Sequence, residues 1–178
     1  MIAHFFFPER FPLDEAKEVE IHERIKYWEG GEGELESFPK LFLYALENGF
    51  KVTYFLLGPW KRPSAIDEEL WEKYLNNFYP PLEEAKKDPK FTLITDRCTI
   101  DDVIAEVGMG NPVICETKYE DFATHALIIR GWKGNLIYTI DSIQGYFPMS
   151  RKDLEERMDL GYMKNFASFG KEKAQKEG

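Results

Sequence analysis

His125-Ala126-Leu127-Ile128-Ile129-Arg130-Gly131, Lys133-Gly134-Asn135 and Leu136-Ile137-Tyr138-Thr139-Ile140-Asp141 follow one another closely in the chain. Two apolar, β-branched runs on either side of a Gly-Asn break predict a β-hairpin. Upstream, Pro112-Val113-Ile114-Cys115-Glu116-Thr117 reads as a further strand. Downstream, Ser150 caps a helix over Lys152 to Met158, and a closing strand runs from Tyr162 to Phe169. Alternating parallel units would need a helix between each pair of late strands, so this half predicts an antiparallel meander.

The front half reads mainly as helices. Asp14 caps a segment with Val19, Ile21, Ile25 and Trp28 at helical spacing, which Gly30-Gly31 and Gly33 end. Ser37 opens a helix carrying Leu41, Phe42, Tyr44, Ala45 and Leu46, and Asn48-Gly49 stops it. Val52 to Leu57 is the first strand, closed by Gly58-Pro59. Ser64 and Asp67 have capping-box spacing ahead of an apolar stripe of Leu70, Trp71, Tyr74 and Leu75. Pro80-Pro81 and Asp88-Pro89 punctuate a helical excursion, Phe91 to Ile94 is a short strand, and Thr99 with Asp102 opens a helix ending at Gly108-Met109-Gly110. The expected fold class is α+β, with N-terminal helices packed on a C-terminal antiparallel sheet. One domain is expected over residues 1–170, with a frayed polar tail over 171–178.

Composition narrows the possible functions. The 178 residues are 43% hydrophobic and 15% aromatic, ample for one core, and the formal net charge is −9. That field repels phosphate backbones and anionic bilayers, so neither nucleic acid nor membrane is an expected partner. No run reaches the roughly 18 apolar residues of a membrane span. The apolar start Met1 to Phe7 passes straight into Pro8-Glu9-Arg10 without a basic leader, which points to the cytoplasm. Cys98 and Cys115 are too few for a disulfide framework and lack zinc-site spacing.

His125 begins one strand of the hairpin and Asp141 ends the other, so both stand at its open end. A carboxylate that orients an imidazole is the base half of a cysteine or serine hydrolase, because it fixes the tautomer and stabilises the imidazolium. On pattern alone such a pair is more often structural.

The order of these segments adds to the functional reading. Asn111-Pro112-Val113-Ile114, His125 to Trp132, Leu136 to Asp141, Gly145 and Met149 to Leu154 together resemble the second half of the bacteriocin-processing, double-glycine-leader cysteine peptidases, which are papain-like. Glu18-Val19-Glu20-Ile21, Gly30-Gly31-Glu32-Gly33 and Asn48-Gly49-Phe50-Lys51-Val52 extend the likeness to a standalone branch of that superfamily. The resemblance implies a papain-like fold, with His125 as catalytic base and Asp141 as its orienting carboxylate. Ser142 follows Asp141, where the family commonly has Pro.

The family's Gln and its Cys-Gly-Pro-like nucleophile motif are absent. No cysteine precedes Cys98 and no glutamine precedes Gln144, while Met1 to Phe7 resembles later turns of the nucleophile helix. A degenerate, non-catalytic relative that binds an extended peptide or chain terminus beside His125 and Asp141 is therefore expected. The alternatives are an active peptidase whose nucleophile lies upstream of Met1, and a structural or oligomer-forming domain without ligand. Cys115 stands mid-strand where the family is aliphatic, and Cys98 precedes a helix cap with nothing to place it near His125.

Other motifs are weaker. His22-Glu23 lacks the second histidine of a metalloprotease, because Lys26 stands there. His4 sits in an apolar turn. The acidic run Glu29, Glu32, Glu34 and Glu36 lacks calcium-loop spacing, and Gly30 to Gly33 does not follow a strand as a dinucleotide loop would. No cofactor or metal is expected.

Overall fold

The computed structural model describes residues 38–57, 62, 68–119, 123–141, 145–159 and 164–171, with backbone alone at Leu70, Lys118, Tyr119 and residues 123–125. The expectations for residues 1–37, for the Ser64–Asp67 cap, for Ser142 and Gln144, and for the tail beyond Lys171 lie outside the described residues. The described elements in chain order are α1 (Phe38–Glu47), β1 (Phe50–Leu57), α2 (Glu68–Ala85), β2 (Phe91–Ile94), α3 (Ile100–Gly108), β3 (Val113–Tyr119), β4 (Ala123–Lys133), β5 (Leu136–Asp141), β6 (Gly145–Ser150), α4 (Arg151–Asp159) and β7 (Lys164–Lys171). With four helices and seven strands among the described residues, the class is α+β. No described helix is long and apolar enough to cross a membrane.

The chain divides into two compact units. The first includes α1, the opening residues of β1, α2 and the turn leading to Phe91. Helix α1 ends where Asn48 donates its backbone N–H to the Tyr44 and Ala45 carbonyls, and Gly49 takes φ +83°, a left-handed conformation that costs glycine little. Phe42 packs its ring 5.7 Å from that of Phe91, and the Lys90 ammonium donates to the Leu46 carbonyl at 2.9 Å.

Helix α2 corrects one reading. Pro80-Pro81 does not punctuate it; the helix continues through both prolines to Ala85. Proline removes an intrahelical hydrogen bond and crowds the carbonyl four residues back. The apolar stripe outweighs that penalty here, since Phe78, Leu82 and Ala85 are all buried and the Tyr74 and Phe78 rings lie 5.9 Å apart.

The second unit carries most of the sheet, whose strand order is β2-β1-β7-β3-β4-β5-β6. Strands β3 to β5 form the expected antiparallel meander, β6 extends it, and β7 returns to pair antiparallel with β3. Two findings go beyond the sequence expectation. Residues 145–150 form a strand, β6, although Pro148 lies within it, and the closing strand occupies the middle of the sheet beside β1.

One face of this sheet holds the core. Val113, Cys115, Leu127, Ile129, Ile137, Met149 and Phe166 meet Ile100, Val103 and Val107 of α3 and Leu154 and Met158 of α4. Phe55 stacks on Phe166 with centroids 4.2 Å apart. Helix α3 starts with a capping box, in which Thr99 Oγ1 accepts from the Asp102 N–H and Asp102 Oδ2 accepts from the Thr99 N–H. Ser150 and Asp153 open α4 in a related way, with the Asp153 N–H donating to Ser150 Oγ at 3.1 Å.

Candidate functional site

Strands β4 and β5 are joined at Lys133 and Leu136 by a two-residue turn in which Gly134 has φ +60°. Their register then passes a bulge at Ile129/Gly131 and reaches Leu127↔Asp141 at the open end. On the other side of β4, Leu127 pairs with Cys115 and His125 pairs with Thr117. Side chains alternate along a strand, so residues two apart share a face. His125, Leu127, Thr117, Cys115 and Asp141 therefore all occupy positions on the face that carries the core.

Asp141 thus lies diagonally across from the His125 position, on the neighbouring strand and the same face. Diagonal neighbours of this kind have Cα atoms roughly 7–8 Å apart, within reach of long or aromatic side chains. Asp141 is 2% exposed, and Thr117 at 1% and Thr139 at 0% are the buried polar residues nearest to it in the register. The Thr139 hydroxyl donates to the Phe147 carbonyl at 2.7 Å across the β5–β6 pair.

The two thiols behave alike. Cys98 and Cys115 are both free and fully buried, and both belong to the core cluster. Burial pushes the Cys98 thiol up to about 12; the Lys164 ammonium pulls the other way but does not offset it, and Asp102 and Asp159 add to the rise. Burial also raises the Cys115 thiol well above its ordinary value, with a smaller contribution from Cys98. A helix N-terminus lowers a thiol pKa only when the sulfur is accessible to it and not desolvated, so the placement of Cys98 before Thr99 does not activate it.

Two further polar contacts lie away from this end of the hairpin. Glu106 on α3 accepts from both the Ser168 hydroxyl at 2.8 Å and the Asn111 amide at 2.9 Å, which ties the helix end to β7. Asn165 on β7 donates to Glu116 on β3 at 2.9 Å. Among the described residues no group of three or more His, Cys, Asp or Glu side chains is arranged to hold a metal ion.

No family model matches the chain, and no curated protein or solved structure matches it. Function must therefore be argued from the chain's own residues.

The register brings together the two positions singled out from the sequence, His125 and Asp141, on adjacent strands and one face.

Proposed function

We propose that this chain is a papain-like, cysteine-peptidase-related domain that binds an extended peptide or chain terminus beside His125 and Asp141 without cleaving it. The observation that carries this reading is the cross-strand diagonal of His125 and Asp141, with the Asp141 carboxylate almost fully buried. A carboxylate held out of water costs several kcal/mol unless a hydrogen-bond donor or cation meets it, and an imidazole one diagonal away is a suitable donor.

The non-cleaving reading is supported by the thiols of this sequence. A cysteine peptidase needs an accessible thiolate beside the imidazole, whereas Cys98 and Cys115 are both buried and burial raises both thiols. Groove shape and backbone hydrogen bonds can hold an extended peptide with no nucleophile.

The test is selection from a displayed random-peptide library, with the wild-type chain and His125→Ala as baits. Retained peptides are then measured by fluorescence anisotropy, and hydrolysis is followed on a quenched-fluorescence peptide library. The expected result is enrichment on the wild type, at least tenfold weaker binding by His125→Ala and no hydrolysis. Equal binding by the two baits, or no enrichment at all, would remove the proposal.

A further inference from the structure

The sheet of the second unit has a face opposite its core. Leu127, Ile129, Ile137 and Met149 belong to the core cluster together with residues of α3 and α4. Side chains alternate along a strand, so Ile128, Tyr138, Ile140, Tyr146 and Pro148 stand on the other side. That outer face is open over β4 to β6. Tyr146 is 64% exposed, Leu136 is 45% exposed, Pro148 is exposed, and Tyr138 and Ile140 are half-buried.

The aromatic groups there are ordered. A Cβ at Gly131 would meet Tyr138 Cδ2 at 3.6 Å, so the Tyr138 ring lies against bare β4 backbone. The Tyr146 ring stacks on it, with centroids 6.1 Å apart and 14° between the planes. Rings already held by packing lose little freedom when a ligand covers them. Exposed apolar side chains gathered on one face mark an interaction surface, where scattered ones need no explanation.

The charge pattern selects the occupant. The chain has 32 Asp and Glu residues and a net charge of −9, yet residues 126–140 and 145–150 contain neither, and their charged side chains are Arg130 and Lys133. Lys133 is exposed and pairs with Leu136, which puts it at the turn end of the same face. Carboxylates on the neighbouring elements are engaged: Asp153 accepts from Ser150 Oγ at 2.7 Å, and Glu116 accepts from the Asn165 amide at 2.9 Å. A second copy of the chain is a poor occupant. A two-fold interface would set this patch against itself and bring together two chains of the same net charge. Strand addition at β6 is hindered by Pro148, since a proline on an edge strand blocks pairing.

We propose that the outer face of β4–β6 docks an acidic, extended segment of a partner protein, with a carboxylate on Lys133 and apolar side chains on Tyr138 and Tyr146. The strand spacing sets the pattern of that segment. Lys133 with Leu136, Tyr138 with Pro148, and Ile140 with Tyr146 are successive rows of the face. Each row is about 7 Å from the next, the length of two strand residues. An extended segment aligned with the strands has the same repeat, so its Asp or Glu is separated by two and four places from its apolar residues. The surface lies on the face opposite the His125 and Asp141 positions and does not rest on the reading of that site.

The experiment is fluorescence anisotropy of a labelled peptide carrying Glu-Ser-Phe-Ser-Phe, titrated with the full chain at low and at physiological salt. Control peptides replace the Glu by Lys, or both Phe by Ser. The chain is compared with Lys133→Glu, Tyr146→Ser, His125→Ala and, as a control away from the face, Lys152→Glu on α4. The expected result is binding by the wild type and Lys152→Glu that weakens as salt rises, and binding weaker by roughly tenfold or more in Lys133→Glu and Tyr146→Ser. Neither control peptide should bind as well. Should Tyr146→Ser disturb β6, as circular dichroism would show, Lys133→Glu at the exposed end of the hairpin carries the test alone.

Equal binding by Lys133→Glu and the wild type, preference for the Lys peptide, or no binding would overturn the proposal. Binding lost in His125→Ala but kept in Lys133→Glu would assign the peptide to the other face and overturn it as well. A concentration-dependent dimer in sedimentation velocity that Tyr146→Ser abolishes would show a second copy on this face, with the same consequence.

Discussion

The proposal that this domain does not cleave peptides predicts the reactivity of its thiols. At pH 8 a thiol with the ordinary pKa of 9.0 is about one-tenth thiolate, whereas Cys98 at about 12 is about one part in ten thousand. Alkylation proceeds through the thiolate, so folded Cys98 should react about a thousandfold more slowly than the unfolded chain, before steric closure slows it further. The assay is iodoacetamide labelling at pH 8 with intact-mass detection, in buffer and in urea. A folded-state rate within tenfold of the unfolded rate at either Cys98 or Cys115 would show an accessible, activated sulfur and refute the reasoning.

The same shifts have a stability consequence with a definite sign. Both folded-state thiols hold their protons to higher pH than in the unfolded chain. Their contribution is therefore fully present below about pH 9 and is lost as pH rises toward 12 for Cys98. Within that window the Cys98 thiol should cost about 1.4 kcal/mol per pH unit, and Cys115 acts in the same direction. Urea unfolding at pH 8, 9 and 10 should give a shallower alkaline decline for Cys98→Ala and Cys115→Ala than for the wild type. Parallel declines would show that neither thiol is shifted.

Thr99→Ala removes one half of the α3 capping box and should lower stability by about 1 kcal/mol in urea titration. Pro80→Ala restores an N–H that can donate to the Asn76 carbonyl at an exposed position of α2, and should raise stability by about 1 kcal/mol on the same assay. Leu127→Ala opens a cavity where a fully buried side chain faces Asp141 across β4 and β5, and should cost about 2–5 kcal/mol.

The elements that sequence reading recovered are those whose signals are local. The β4–β5 hairpin shows its turn in Gly134-Asn135, and α3 shows its capping box in Thr99 and Asp102. The failures came where tertiary context overrode a local rule. Residues 145–150 carried no strand reading, and Pro148 is accommodated because β6 stands last in the strand order of the described residues, where one side of the backbone needs no ladder partner. Its burial still alternates, with Phe147 and Met149 more enclosed than Tyr146 and Pro148. In α2 the prolines read as punctuation of a helical excursion, but buried Phe78, Leu82 and Ala85 continue the stripe past them. The central position of β7 has a weaker signal: residues 165–170 are all buried, as suits a strand covered on both faces, and nothing local names its neighbours.

For the candidate site the sequence supplied two residues and the register supplied their placement. His125 and Asp141 could be chosen from their places at the hairpin's open end, but their shared face depends on pairing counted back from the turn through a bulge, and a slip of one residue would have put Asp141 on the opposite face. That register is what makes Asp141 informative. At 2% exposure on a face filled by Leu127, Ile137 and Phe166, a carboxylate is the most costly way to end β5, and Thr139 two residues earlier shows that a neutral hydroxyl can be satisfied there by a neighbouring carbonyl. A carboxylate is favoured at this point if it offsets a positive charge, and an imidazolium on the adjacent strand is the group that the proposed site would place beside it.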